Sequence, residues 1–398
     1  MLFKKTDDIN SFIQEERKAE LQYWLTGDSD SFSREKRNIY ILAGKNHFTE
    51  EKQEPARGMY HDELKYAGDL ELAFQIEREE KQFRSVRKQL NERDYGQRLR
   101  SLIHLRNQYA RTAGFENYLD YKYALWGIEP AVLNKTVDRQ LMAEKTDITQ
   151  LKNWLMNVAK DERLAVRNQR KLLKQVDEDW NLNLERIQIH DKHLPEFYIG
   201  ACVPVCIPDD IQVLINMQPG LSGFSVFMHE MGHAFYYSNI TSEDIYGRKE
   251  PFNLIMEETV ALLFENQVYT ENFLTEFLNI HEDMWPLKAN GQLNYLLSCA
   301  EFEEKVYRTA DFDFDREWEE ACALTGERGD AGWTRPHFFI SNPGYFAAYF
   351  IAGFLAKEVY LYADRTGQNL FEFMRNEICR PGRNLRYDIL LNKIWGCF

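Results

Sequence analysis

Basic charge is in short supply in this 398-residue chain: 49 Lys and Arg face 63 Asp and Glu, giving a formal net charge of −14. A surface of that sign repels polyanions, which excludes nucleic acid and anionic membrane as natural partners. Cysteine is scarce as well. The six present (Cys202, Cys206, Cys299, Cys322, Cys379 and Cys397) are scattered and form no C-x-x-C, so a disulfide scaffold is excluded and reduced thiols are the default. The opening residues Met1 to Asp8 lack the apolar run of a signal peptide, and no stretch approaches the ~18 uncharged apolar residues of a membrane span. These absences predict a cytoplasmic protein. Apolar and aromatic residues are plentiful: 44% of the chain is hydrophobic, with 26 Phe, 21 Tyr and 8 Trp, which excludes wholesale disorder.

Glycine and proline are rare in the first ~180 residues, which read as helix after helix rich in Glu, Lys, Arg, Gln and Leu. Leu99, Leu102, Ile103, Tyr109, Ala110 and Ala113 share one stripe, with Gly114 as a left-handed stop. Pro130 sits where a first helical residue tolerates it, and Ile148, Leu151, Leu155 and Val158 repeat at helical spacing. From about Asn181 to Gly220 the texture changes, and Pro208-Asp209-Asp210 separates Ile199–Ile207 from Ile211–Met217 as a hairpin would. Helical pattern then resumes to the end. The expected organisation is an N-terminal helical wall over 1–190 and a catalytic part over 191–398, which can form one intertwined unit.

His229-Glu230-Met231-Gly232-His233 is an H-E-x-x-H, preceded by Ser222 as a possible helix cap. Imidazoles four apart on a helix share a face and can both reach one Zn²⁺. The carboxylate of Glu230, next to that face, can take a proton from a water that zinc acidifies and pass it to a leaving amine. The motif alone arises by chance in roughly two chains in a hundred of this length, so a third donor decides its meaning. Glu257 and Glu258 open a second helical stretch, Leu254–Val268. Glu258 shares a stripe with Leu254, Ala261, Leu262 and Glu265, which aims it inward and makes Glu265 an acceptor for a ligand imidazole. Glu257, about 100° away on the helix, is left as a surface charge. Gly232 costs a helix about 1 kcal/mol relative to Ala, and close approach of a neighbouring helix is the expected reason.

These motifs, His229 to His233 with Glu258 to Asn266, resemble zinc peptidases of the oligoendopeptidase F and thimet oligopeptidase family, and are similar to thermostable carboxypeptidases and angiotensin-converting enzyme. The resemblance takes in Leu105 to Tyr118, Gly332 to Phe339 and Tyr345 to Tyr349, so it spans residues 99 to 354. It implies a mainly α fold: a clam-like helical bundle with a deep channel, a small β-sheet at the active-site edge and one Zn²⁺ on the channel floor. It further implies that His337, Tyr349 and Tyr345 face the scissile carbonyl, with Tyr349 preferred because Tyr345 can equally pack on Trp333. By the same resemblance Ile211, Val213, Leu214 and Asn216 lie along the backbone of a bound peptide, and a loop with Gly326, Gly329 and Gly332 moves on substrate entry.

Two rival constellations are weaker. His190, His193, Cys202 and Cys206 offer four zinc donors, but Pro204 between the thiols argues for buried, inert cysteines. Asp311, Asp313 and Asp315 imitate a calcium loop whose sixth position is Arg316 and twelfth Cys322, so an acidic connector is the better reading. The expected function is a zinc metallopeptidase that cleaves short or unfolded peptides, with His229, His233 and Glu258 on the metal and Glu230 as general base, and with no obligate protein partner. The alternatives are a metallocarboxypeptidase or dipeptidase on the same scaffold, or a catalytically silent peptide-binding module.

Overall fold

The computed structural model of the chain describes residues 6–26, 68–142, 148–194, 199–241, 253–327, 332–382 and 385–396. Helix dominates them, and their sheet has three strands, in agreement with the mainly α reading. Asn91 caps the helix Glu92–Thr112 by accepting the Asp94 N–H at 2.9 Å. That helix buries Leu99, Leu102, Ile103, Tyr109 and Ala110, and Gly114 then turns the chain at φ +88°. Pro130 opens Pro130–Met142, where its missing N–H is harmless. Gly326 ends the helix Phe314–Thr325 in the left-handed region, while Gly329 and Cys397 lie outside the described residues.

Strands β2 (Gly200–Cys206) and β3 (Asp210–Ile215) form the expected antiparallel hairpin, with Cys202 opposite Val213. Strand β1 (Ile187–Asp191) adds in parallel on the other side of β3, with Ile187 opposite Ile211 and Asp191 opposite Ile215. The order β1-β3-β2 makes β3 the middle strand. This corrects the reading of Ile211, Val213, Leu214 and Asn216 as the strand that meets a peptide. The main-chain groups of β3 are taken by both neighbours, and the Asn216 N–H donates to Ile199 O at 2.8 Å, so no edge remains there for another chain. The hairpin was legible from its turn, whereas β1 joins across a longer connection with no local signal. On one face of the sheet Ile211, Val213 and Ile215 enter the main core; on the other Leu194, Val203, Val205 and Leu214 meet Leu21, Trp24 and Leu25 of the helix Thr6–Thr26.

The centre of the molecule is a stack of helices buried nearly all round. The motif helix Gly220–Ser238 packs on Leu254–Gln267, which packs in turn on Tyr345–Thr366 and Trp285–Arg308. One apolar cluster runs from Ile76 to Ile394 and so crosses the boundary expected at residue 190. Tyr345–Thr366 is long and apolar enough to cross a membrane, with mean hydropathy 1.2 and 67% of that window buried inside the protein. Lys357 and Glu358 interrupt its apolar run, in keeping with the absence of a long uncharged stretch, and here it is a core helix. The motif helix also begins earlier than expected. Pro219 is its N-cap residue, and Ser222 lies within the first turn, its carbonyl accepting from the Ser225 hydroxyl at 3.0 Å.

Gly232 marks where the two central helices touch. A Cβ there would lie 2.6 Å from Ala261 Cα and 2.9 Å from Val260 O, and backbone cannot yield as a side-chain tip can. Gly232→Ala is therefore expected to force the helices apart and lower stability by about 1 to 3 kcal/mol. Thermal unfolding checks this, and an unchanged melting temperature would show that the contact is not tight.

Candidate metal centre

Helical periodicity brings His229 and His233 to one side of the motif helix, and the contact at Gly232 brings Glu258 across to meet them. The two Nε2 atoms are 3.2 Å apart, and Glu258 Oε2 lies 3.6 Å from His229 Nε2 and 3.7 Å from His233 Nε2. A tetrahedral zinc with bonds of about 2.0 to 2.1 Å needs its donors about 3.3 Å apart, so the triangle has the right size. Among the described residues this is the group of His, Cys, Asp and Glu side chains able to hold a metal ion. Glu258 Oε2 is buried and has no hydrogen-bond partner, while its Oε1 accepts from the Tyr345 hydroxyl. One carboxylate oxygen is thus committed and the other faces two imidazoles, an arrangement that suits a cation at their common focus.

Each imidazole has a carboxylate behind it, hydrogen-bonded to His229 and in ion-pair contact with His233. His229 Nδ1 is 3.0 Å from Glu265 Oε2, as the stripe through Glu258 predicts, and His233 Nδ1 is 3.2 Å from Glu257 Oε1. Glu257 is therefore not the surface charge expected from sequence: it is 8% exposed. The two faces of a histidine ring explain this. Glu258 meets the Nε2 side and Glu257 the Nδ1 side of the same ring, so residues about 100° apart on a helix both point inward. Glu265 is tied further, its Oε1 accepting from Lys288 Nζ at 2.6 Å and Gln292 Nε2 at 3.1 Å.

The charges follow from this geometry. Burial opposes charge on both imidazoles, but the carboxylates outweigh it. His229 is raised through its hydrogen bond to Glu265, and His233 is pushed up to about 10 by Glu258, Glu257 and Glu230. Burial lifts Glu230 and Glu258 above the ordinary carboxylate range. Glu265, although buried, is held down to about 2 by Lys288 and by its bond to His229. Four carboxylates thus crowd two imidazoles and one ammonium, and the donor set fits a divalent cation.

Around the donors the structure gathers Glu230, Tyr345 and Tyr349. Glu230 is 7% exposed and lies against the start of β2: a Cβ on Gly200 would sit 2.4 Å from its Oε1. Sequence analysis overlooked Gly200, although a glycine opening a β-branched run is a known sign of close approach. The Tyr349 hydroxyl is 3.3 Å from His229 Nε2. Tyr345 donates to Glu258 and packs edge-on against Trp126 at 6.2 Å between centroids, while Trp333 stacks on Phe314 instead. Burial and nearby carboxylates raise both phenols well above their usual range and keep them protonated. His337 stands one ring further out, on Phe338 at 4.2 Å, which itself lies 4.8 Å from Tyr345. Burial and the positive Arg87 and Arg84 lower it to about 4, so its imidazole is neutral at pH 7. The segment between His337 and Tyr345 is pinned by Arg106, a fully buried residue of the helix Glu92–Thr112. Its guanidinium donates to Phe339 O at 3.0 Å and the Tyr307 hydroxyl at 2.8 Å and pairs with Glu80 at 2.6 Å; Glu303 accepts the Gly344 N–H at 3.0 Å.

The rival sites do not assemble. His190 Nε2 pairs with Gln212 Oε1 at 2.7 Å, and Cys202 and Cys206 are free thiols. Asp313 caps the helix Phe314–Thr325, and Asp315 accepts the Trp333 indole N–H at 2.7 Å.

No protein-family profile matches the sequence, and no curated protein matches it. Solved structures do match in shape. A protein assigned as oligoendopeptidase F from Bacillus anthracis str. Ames superposes with a TM-score of 0.65 at 15% identity, covering 98% of this chain and 86% of that one. The fold is that of oligoendopeptidase F. A second protein assigned as oligoendopeptidase F gives 0.68 at 15% identity over 99% of this chain and 87% of its own. PZ peptidase A, solved with an inhibitor, gives 0.67 at 13% identity over 98% and 87%.

Carboxylates behind ligand imidazoles fix tautomer and orientation, and their loss costs about 10- to 100-fold in metal affinity. Glu257→Gln is expected to weaken zinc binding by that factor in chelator competition. Unchanged affinity would return Glu257 to the role of a bystander.

Proposed function

We propose that the chain is a zinc-dependent peptidase that hydrolyses short or unfolded peptides. The observation that carries this reading is the triangle of His229, His233 and Glu258 at tetrahedral spacing with Glu230 beside it, on a fold shared with structures named as peptidases. A bound zinc supplies Lewis acidity, polarising a carbonyl and acidifying water.

The remaining chemistry belongs to the chain. Glu230, made more basic by burial, takes a proton from the attacking water as its oxygen bonds to the carbonyl carbon. It then delivers that proton to the amide nitrogen as the C–N bond breaks. Tyr349 donates its hydroxyl to the oxygen that becomes negative, the role sequence analysis preferred for it. Tyr345 orients Glu258 through the hydrogen bond to Oε1, and neutral His337, one ring further out on Phe338, is the further donor that the family resemblance implies. The substrate main chain runs along β2, whose first residue touches Glu230, because a sheet edge holds any sequence through backbone hydrogen bonds.

The recessed site sets the substrate class. His229, His233 and Glu258 side chains are only 13%, 9% and 5% exposed, so a thin extended chain reaches them and a folded surface does not. The test is Glu230→Gln, which keeps the shape of the side chain and removes the base. Cleavage of a quenched peptide library is expected to fall by about 10²- to 10⁴-fold with zinc stoichiometry unchanged. Wild-type turnover in this variant would overturn the mechanism.

A further inference from the structure

The supports behind the two imidazoles are unequal. Glu265, behind His229, is hydrogen-bonded to the ammonium of Lys288 and to Gln292, which stand one helical turn apart on Trp285–Arg308. Glu257, 3.2 Å behind His233, forms no ion pair with a lysine or arginine among the described residues, and neither its Oε2 nor the His233 Nδ1 has a hydrogen-bond partner. Lys288 itself is faced by Glu265 and by the ring of Tyr269 at 5.7 Å, and its side chain is 17% exposed. The pair is therefore largely withdrawn from water, where its charges act at full strength.

A carboxylate that accepts the Nδ1 proton of a ligand imidazole makes the opposite nitrogen a stronger donor. An ammonium on the same carboxylate draws charge away from that hydrogen bond and weakens the effect. It also adds a positive charge close to the position of the cation. We propose that Lys288 tunes the metal site through Glu265, making His229 a weaker donor than it would be with Glu265 alone behind it, so that the bound ion is held less tightly and stays more electrophilic. Lys288 is in this sense a positioning and tuning residue, with no contact to substrate required. Geometry supports the arrangement at each link: Lys288 Nζ to Glu265 Oε1 at 2.6 Å, and Glu265 Oε2 to His229 Nδ1 at 3.0 Å.

The inference rests on the metal reading above, and its test reads the metal directly. Zinc affinity is measured by chelator competition and the ligand field by the visible spectrum of the cobalt-substituted protein, for wild type, Lys288→Met, Lys288→Gln and Lys288→Arg. Lys288→Met and Lys288→Gln are both expected to bind zinc about tenfold tighter and to shift the cobalt bands, while Lys288→Arg keeps wild-type values. Lys288→Gln retains a hydrogen-bond donor without the charge and so separates charge from simple anchoring. Should it match wild type, or should both neutral variants bind zinc more weakly, Lys288 is only an anchor for Glu265 and the proposal is wrong. Unchanged affinity and spectrum in all variants overturn it equally. A wild-type protein that takes up no zinc or cobalt overturns the metal reading itself, an outcome distinct from a loaded wild type that its variants merely resemble.

Discussion

Backbone contact between two central helices governs this molecule. The motif helix and Leu254–Gln267 meet where Gly232 lies against Ala261 and Val260, and only that closeness lets a carboxylate from one helix reach two imidazoles of the other. A helix with apolar surface on all sides cannot be placed by its own amphipathicity, so its position is set by partners on every face. The tyrosine helix and Trp285–Arg308 complete that enclosure, and both contribute to the site: Tyr345 and Tyr349 from one, Lys288 and Gln292 from the other. Packing and chemistry are thus carried by the same four helices.

Enclosure has an electrostatic consequence. Removing an ionised carboxylate from water costs on the order of several kcal/mol unless it is paired, and here Glu230, Glu257, Glu258 and Glu265 are withdrawn together. Lys288 offsets one of them. Without a metal, protons on the imidazoles supply positive charge, which is why His233 is driven up to about 10. A dication at the focus of the three donors would replace those protons and engage the unpartnered Glu258 oxygen. The same crowding keeps Glu230 basic and the phenols protonated, so Glu230 can accept a proton and the phenols can donate one, as the proposed reaction requires.

Much of this was legible from sequence because it depends on spacing along single helices. His229 and His233 four apart, Glu258 on an inward stripe, and Glu265 two turns beyond it follow from helical periodicity, and Gly232 announced the contact it makes. The hairpin was legible from its turn residues. Glu257 was misjudged because the rule that neighbours diverge on a helix ignores the two opposite nitrogens of one ring. That β3 has a neighbour on both sides was not legible, because β1 joins it through a parallel pairing, which leaves no local mark. Lys288, Gln292, Gly200 and Arg106 act across the fold, from elements whose mutual placement no short motif encodes. Tyr345 looked like an ordinary aromatic for the same reason, since its partner Glu258 is 87 positions away.

The central claim is a single ion held by two imidazoles and one carboxylate. X-ray absorption at the zinc edge, on protein dialysed free of loosely bound metal, tests it most directly. The account predicts one zinc per chain whose first shell contains two imidazole nitrogens and a carboxylate oxygen at about 2.0 to 2.2 Å, with the imidazole signature lost in His229→Ala. Protein that retains no zinc, or zinc with a shell lacking paired imidazoles, would contradict it.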